Sequence, residues 1–422
     1  MIPRVVHPHR PESHPMNAPA PARPRRHDLD WLRVIAIVLL LFFHSAMPYV
    51  AEWEWHLKNA ETSPLMMEAS YFLSRWRMAL LFLISGVGTS YALGFRPARG
   101  YLRERALRLL VPLHFGILVI VPPQIYMERL AQGASYASYL HFWPSILQGR
   151  PYPEGNTSWH HLWFIGYLFI YSVAALPLFL YLRSERGRRV RAAIAARLAG
   201  PALYLLGLPL GLILATLYVR WSGPENVIDD WGRLVYYFGF FVAGYLLAEA
   251  EGAWRWMETN RRASLGLAVA SIVAINYLRW NDVEPAWGYN PGNAAFLMLQ
   301  GCNAWFWVLA ILGFGKRHLS FRNRLLDYAG EGIYPFYVLH QTVIVIVAFY
   351  VLRAPDGVWA KFWFTSFVSL GLTVAIYDLL VRPFRVTRFL FGMKNPPAAP
   401  RTVPAPPRVV AGAAEPALTV EA

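Results

Sequence analysis

The sequence is poor in cysteine and in charge. Cys302 stands alone among 422 residues, which excludes a disulfide framework and a thiolate-bound metal cluster. Charged residues make up 15% of the chain, against about 25% in an ordinary soluble domain. A cleavable secretory leader is not expected either, because residues 1–27 are rich in Pro, Arg and His and hold no apolar core before Asp28. No internal repeat of the kind that builds many transporters is visible.

What replaces charge is apolar. Hydrophobic residues make up 56%, with a mean hydropathy of +0.31. They gather in runs near the roughly 20 residues that a bilayer core demands. Ten such runs lie near 31–50, 70–94, 106–126, 159–182, 201–219, 234–249, 263–279, 293–314, 333–352 and 361–381. The run at 234–249 is the weakest, being short and aromatic. The expected fold is therefore an all-α polytopic membrane protein of about ten transmembrane helices. A membrane domain over 28–392 would be flanked by two disordered tails, a basic one at 1–27 and a Pro/Ala-rich one at 393–422.

The net charge of +15 would suggest nucleic acid for a soluble chain. Here its distribution gives another reason. With ten spans both termini share one side. Lys and Arg then number 29 on that side and 10 on the other, with Arg33 inside the first span completing the 40. Positive charge stays inside, so both termini are expected in the cytoplasm, with no nucleic-acid partner. Trp53, Trp55, Trp221 and Trp231 fall in the outer loops and read as an interfacial belt.

Ionisable residues inside spans are costly and mark function by default. Arg33 and His44 are 11 residues apart. At about 100° per residue both lie on one helix face, roughly 16 Å apart along the axis. Arg33 falls near the cytoplasmic interface and His44 at or past mid-membrane. Arg33 could simply snorkel to headgroups, and His44 could simply bond two helices. An imidazole there also suits proton transfer near neutral pH. Arg103, Arg105 and Arg108 precede span three. Arg105 and Arg108, at i and i+3 of a helix, would share a face and suit phosphate oxygens, although ordinary inside-positive charge also explains them. His160 and His161 open span four as neighbours some 100° apart, a poor geometry for joint metal binding, and interfacial anchoring is the bland account. His340, about seven residues into span nine, reads as lying toward the cytoplasmic side. Asp378 sits in span ten, and Arg75 and Arg77 at the outer start of span two read as interfacial, or as meeting an anionic acceptor. Ser85-Gly86-Val87-Gly88 reads as a close-packing stretch.

Five elements occur in order: Leu29-Asp30-Trp31-Leu32-Arg33 followed by His44; Phe82-Leu83-Ile84-Ser85-Gly86; Arg105 to Pro112 with its Arg-x-x-Arg; His161-Leu162-Trp163-Phe164; and Tyr337-Val338-Leu339-His340-Gln341. Together they resemble the acyltransferase-3 family of bacterial membrane acyltransferases, across almost all of 28–382. The His161-Leu162-Trp163-Phe164 element resembles most its glucan-modifying branch, whose members decorate periplasmic glucans with groups such as succinyl.

The resemblance implies a multi-pass protein of the bacterial inner membrane. It would take an acyl group from cytoplasmic acyl-CoA, as acetyl-CoA or succinyl-CoA, and pass it to a hydroxyl of an extracytoplasmic carbohydrate or envelope polymer. It maps the family's Arg-x10-His pair onto Arg33 and His44, and Arg-x-x-Arg onto Arg105 and Arg108. In that reading Arg105, Arg108 and Arg103 hold donor phosphates. Arg33 orients the donor. His44 is a general base or a transient acyl carrier, with His340, His161 and Asp378 as further site residues. The sequence names no obvious carboxylate to orient His44, and Asp378 is a candidate only because it lies within a span. No metal is expected. Partners are membrane lipid, the glycan acceptor and, since no extracytoplasmic domain follows the last span as in some relatives, a separate extracytoplasmic protein if the membrane domain does not finish the transfer. The competing reading is a transporter or flippase for an anionic or glycolipid solute, with the same His and Arg lining a pathway.

Overall fold

A bilayer core offers no water to backbone N–H and C=O groups, so each apolar run must close its hydrogen bonds within itself. The structure, a computed structural model, describes residues 25–394. The tails expected at 1–27 and 393–422 lie outside the described residues, except for their innermost positions.

Helices dominate, and no strand longer than a single bridge occurs among the described residues. Eight continuous helical stretches are long and apolar enough to cross a membrane. They are α1 (His27–Tyr49), α2 (Pro64–Phe95), α3 (Ala98–Ala131), α6 (Pro201–Tyr218), α9 (Arg261–Trp280), α10 (Pro291–His318), α11 (Arg324–Val351) and α12 (Val358–Val381). Counting each of two bent pairs as one span brings the number among the described residues to ten. In α4 (His160–Ala174) and α5 (Leu176–Arg183) the bend is 46°. In α7 (Trp231–Leu247) and α8 (Glu251–Thr259) it is 107°, so α8 runs across the end of α7 rather than continuing it. The ten runs of the sequence thus recur as ten stretches, and the chain is an all-α, multi-pass membrane protein.

Several helices begin well before their apolar run. Ser63 caps α2, accepting from Met66 N at 3.4 Å, with Pro64 in the first turn. Asn323 caps α11, accepting from Leu326 N at 2.9 Å. Side-chain caps of this kind satisfy orphan N–H groups, and proline suits the first turn. Hydropathy registers neither, which places α2 and α11 residues deeper than the sequence reading does.

Both described ends meet on one face of the bundle, here the near face. Trp31 Nε1 donates to Phe321 O (3.2 Å), and Arg388 Nη1 pairs with Glu331 (2.9 Å). The loop after α1 and the segment between α3 and α4 lie on the opposite, far face.

The central contact is α2 against α7. A methyl group added at Gly86 would collide with the carbonyl oxygen of Phe241, and one at Gly244 with that of Leu83. The backbones touch through two glycines, so within Ser85-Gly86-Val87-Gly88 the close-packing reading holds at Gly86 and not at Gly88, where an added methyl meets nothing within 4 Å.

Candidate active site

α1 and α11 bring two imidazoles together. His44 Nδ1 lies 2.9 Å from His340 Nε2, and the rings lie edge to edge, their planes within 10° and their centroids 5.1 Å apart. Both residues are buried. The sequence reading put His340 at a different depth from His44. That is corrected here, because α11 starts at Arg324 and not at the apolar run near 333.

The hydrogen bonds fix the ring protons. His340 Nδ1 lies 2.6 Å from Tyr337 O, and a carbonyl only accepts, so His340 Nδ1 carries the proton. In its neutral form His340 then offers a lone pair at Nε2, which accepts Nδ1–H of His44. The remaining lone pair of that pair sits on His44 Nε2, which has no protein partner among the described residues.

His161 adds a third ring, edge-on to His340 at 5.3 Å. Its Nε2 donates to Val338 O at 3.0 Å, and its Nδ1 is buried without a partner. Tyr337 OH donates back to His161 O, clamping α4 to α11. His160 packs edge-on against His56 with centroids 4.6 Å apart, and Ser158 Oγ lies 3.2 Å from its Nδ1. Its backbone φ of 38° is a left-handed conformation rare outside glycine.

Arg77 completes this layer, and it is not interfacial. Thirteen residues of α2 precede it after the Ser63 cap, not an apolar run starting near 70. It is 3% exposed. Its guanidinium sits 4.1 Å over the Phe43 ring, and its Nε and Nη1 have no partner. It lies within electrostatic reach of both His44 and His340. A buried cation without a counter-charge is costly, and places like this are where ligands supply the missing charge. Arg75 donates from Nη1 to Gln300 Oε1 at 2.7 Å, and its Nε is buried without a partner.

On the near face a cleft of about 220 Å³ opens between α1 and α2, lined by Arg25, Arg26 and Arg33 together with Asp30, which pairs with Arg25 at 2.7 Å, and by mainly apolar residues. Arg33 pairs with Asp30 at 2.8 Å and lies within electrostatic reach of Arg25 and Arg108. Arg105 and Arg108 do not form one face as the sequence suggested. Residues Ala106–Leu110 make a π-helical turn, whose wider winding spreads them. Arg105 donates to Thr89 Oγ1 (2.9 Å). Arg108 donates to Gly392 O (3.2 Å) and Glu104 (3.4 Å). Arg103 is exposed.

Asp378 is not the carboxylate that orients His44. It accepts from Tyr328 OH at 2.7 Å and pairs with Arg382 at 3.5 Å, in the last turns of α12 on the near face. The carboxylate at the histidine layer is Glu128, which sequence reading missed together with His56, Trp55 and Tyr152. Glu128 bonds His56 Nδ1 at 2.5 Å. Tyr152 OH donates to the other carboxylate oxygen at 2.9 Å. Burial, and then the carboxylate beside it, push the Tyr152 phenol above its ordinary value, so it stays a donor. A signal was present in the sequence: a Glu just past the third apolar run.

A paired imidazole with a free lone pair, between an arginine-lined cleft and a buried unpaired guanidinium, is equipment for moving an electrophilic group. Comparison with known proteins agrees. A family profile described as an acyltransferase domain matches residues 26–380. The chain belongs to the acyltransferase-3 family. Curated relatives named glucans biosynthesis protein C, from Salmonella paratyphi A, Salmonella agona and Salmonella typhimurium, are each 24% identical over 387 residues. The matched region covers 88% of this chain and 96% of theirs. No solved structure matches. The chain is a membrane acyltransferase.

Proposed function

We propose that this acyltransferase moves an acyl group of the acetyl or succinyl class from cytoplasmic acyl-CoA to a hydroxyl of an extracytoplasmic carbohydrate or envelope polymer, in the bacterial inner membrane. The observation that carries the reading is the lone pair left on His44 Nε2 by the His340 and Tyr337 hydrogen bonds. The printed name of the relatives supports a glucan acceptor.

Donor phosphates would enter the near-face cleft against Arg25 and Arg33, with Arg105, Arg108 and Arg103 in the surrounding field. The thioester arm then follows α1 toward His44. Two chemistries use a lone pair so placed. As a base it takes a proton, and as a nucleophile it takes the acyl group. In either case His44 Nδ1–H can pass charge toward His340 Nε2. In either case negative charge grows on the acyl oxygen, and the buried, unpartnered Nε and Nη1 of Arg77 are donors for it.

The test is purified protein in detergent, with no vesicle gradient, given acetyl-CoA or succinyl-CoA and a glucose oligosaccharide. Ester formation, read by mass spectrometry of the oligosaccharide, supports the reading. Failure to form ester with either donor, while vesicles show donor-independent movement of a glycolipid, would replace it with the flippase reading.

A further inference from the structure

Beside the His44 and His340 pair stands a second histidine pair. His56, in the far-face loop after α1, bonds Glu128 at the end of α3. The two sites share walls. The Trp55 ring lies 5.2 Å from His44 and 5.1 Å from His56, centroid to centroid. Gln341, next to His340 on α11, reaches His56 Nε2 at 3.4 Å.

The proton on His56 is also fixed, by a chain that starts at a carbonyl. Thr342 OH donates to Ile120 O at 2.6 Å, so Thr342 Oγ1 must accept from Gln124 Nε2 at 2.7 Å. The Gln124 carbonyl then faces Gln341 and accepts its Nε2–H at 3.0 Å. The second hydrogen of that amide points at His56 Nε2, which must be the lone-pair nitrogen. His56 Nδ1–H therefore donates to Glu128. The Gln341 contact at 3.4 Å is too long to hold that lone pair firmly, so an incoming hydroxyl can displace it.

Between the pairs, buried polar atoms wait without partners: Trp55 Nε1 and His161 Nδ1, with His161 6% exposed. An indole N–H and an imidazole lone pair are a donor and an acceptor, which suits a hydroxyl-rich ligand. We propose that His56, held and charge-balanced by Glu128, is the base that deprotonates the acceptor hydroxyl, while His44 serves the donor side. This rests on the acyl-transfer reading above. The acceptor oxygen forms a bond to the acyl carbon. The bond from that carbon to its leaving atom, the donor sulfur or His44 Nε2, breaks, and its electron pair stays on that atom. The hydroxyl proton goes to His56 Nε2, and the imidazolium beside Glu128 later returns it to water on the far face.

Hydroxylamine is the discriminating acceptor, since it attacks acyl carbon as a neutral amine and needs no base to ionise it first. Full-length wild type, His56→Asn, Glu128→Gln and His44→Gln are each given acetyl-CoA with either a glucose oligosaccharide or hydroxylamine. In His56→Asn, transfer to sugar should fall by at least about 10²-fold, the ordinary scale for a general base. Transfer to hydroxylamine should be largely kept, which also reports that the protein is folded. Glu128→Gln, near-isosteric, should show the same split with a smaller loss, and covers a His56→Asn that does not fold. His44→Gln should lose both acceptors. Equal losses toward both acceptors in the His56 and Glu128 variants, or no loss toward sugar, would overturn the inference. A wild type active toward neither acceptor would overturn the acyl-transfer reading itself.

Discussion

His44 and His340 sit on helices almost 300 positions apart in sequence, yet one ring nitrogen of each lies 2.9 Å from the other. The direction of the bond is set from outside the pair, by the carbonyl of Tyr337. Carboxylate-backed histidines orient their base with a full negative charge. This pair does it with a neutral ring, so less charge stabilisation is available and more rests on geometry.

That arrangement predicts an order of losses. His44→Gln should insert and fold, but lose acyl transfer by at least about 10²-fold, since glutamine has no basic lone pair at neutral pH. His340→Gln should lose less, because a glutamine oxygen can still accept from His44 Nδ1. The measurement is ester formed per unit of monodisperse protein. Near-normal rates in His44→Gln would remove it from the chemistry. Loss of folded protein would make it a structural tie between α1 and α11.

The near-face arginines should govern donor binding. Arg33→Ala, and the double change Arg105→Ala with Arg108→Ala, should weaken acyl-CoA binding in equilibrium titrations. The difference from wild type should shrink at high salt, where exposed electrostatics are screened. All three already hold partners, Arg33 with Asp30, Arg105 with Thr89 and Arg108 with Gly392, so each single change should weigh less than the double one. Unchanged affinity in all of them would return the cluster to the ordinary positive-inside role.

Gly86 gives a test of the fold alone. A side chain there meets the Phe241 backbone, whereas one at Gly88 meets nothing within 4 Å. Gly86→Ala should destabilise by about 1–3 kcal/mol, the usual cost of overpacking. Gly88→Ala should leave Tm in detergent equal or higher. Equal Tm values for the two would mean that α2 and α7 are not in backbone contact.

Sidedness is open to reporter fusions. The uneven Lys and Arg distribution puts position 190 in the cytoplasm and position 225 outside. The opposite result at both sites would place the arginine cleft away from cytoplasmic acyl-CoA.

The legible parts of this protein were those carried by one segment. The ten apolar runs, and the Arg33 to His44 spacing within one helix, needed no tertiary information. Depth was harder. Hydropathy shows where a run becomes apolar, not where a cap such as Ser63 or Asn323 starts the helix, so Arg77 and His340 were each placed at the wrong level. The pairing of His56 with Glu128 was not legible at all, because it joins a loop to a helix end 72 positions away. The same holds for Arg105 and Arg108, whose π-helical turn leaves no mark in residue spacing.

The unpaired guanidinium of Arg77 has a thermodynamic side. Folding buries that cation, and its Nε and Nη1 find no partner among the described residues, so the fold carries an electrostatic cost at its centre. Whatever brings negative charge into that layer lowers the energy of the folded state and not of the unfolded one. Occupancy and durability are therefore linked, and a donor whose acyl group carries a carboxylate, such as succinyl, should raise Tm more than a neutral acetyl one.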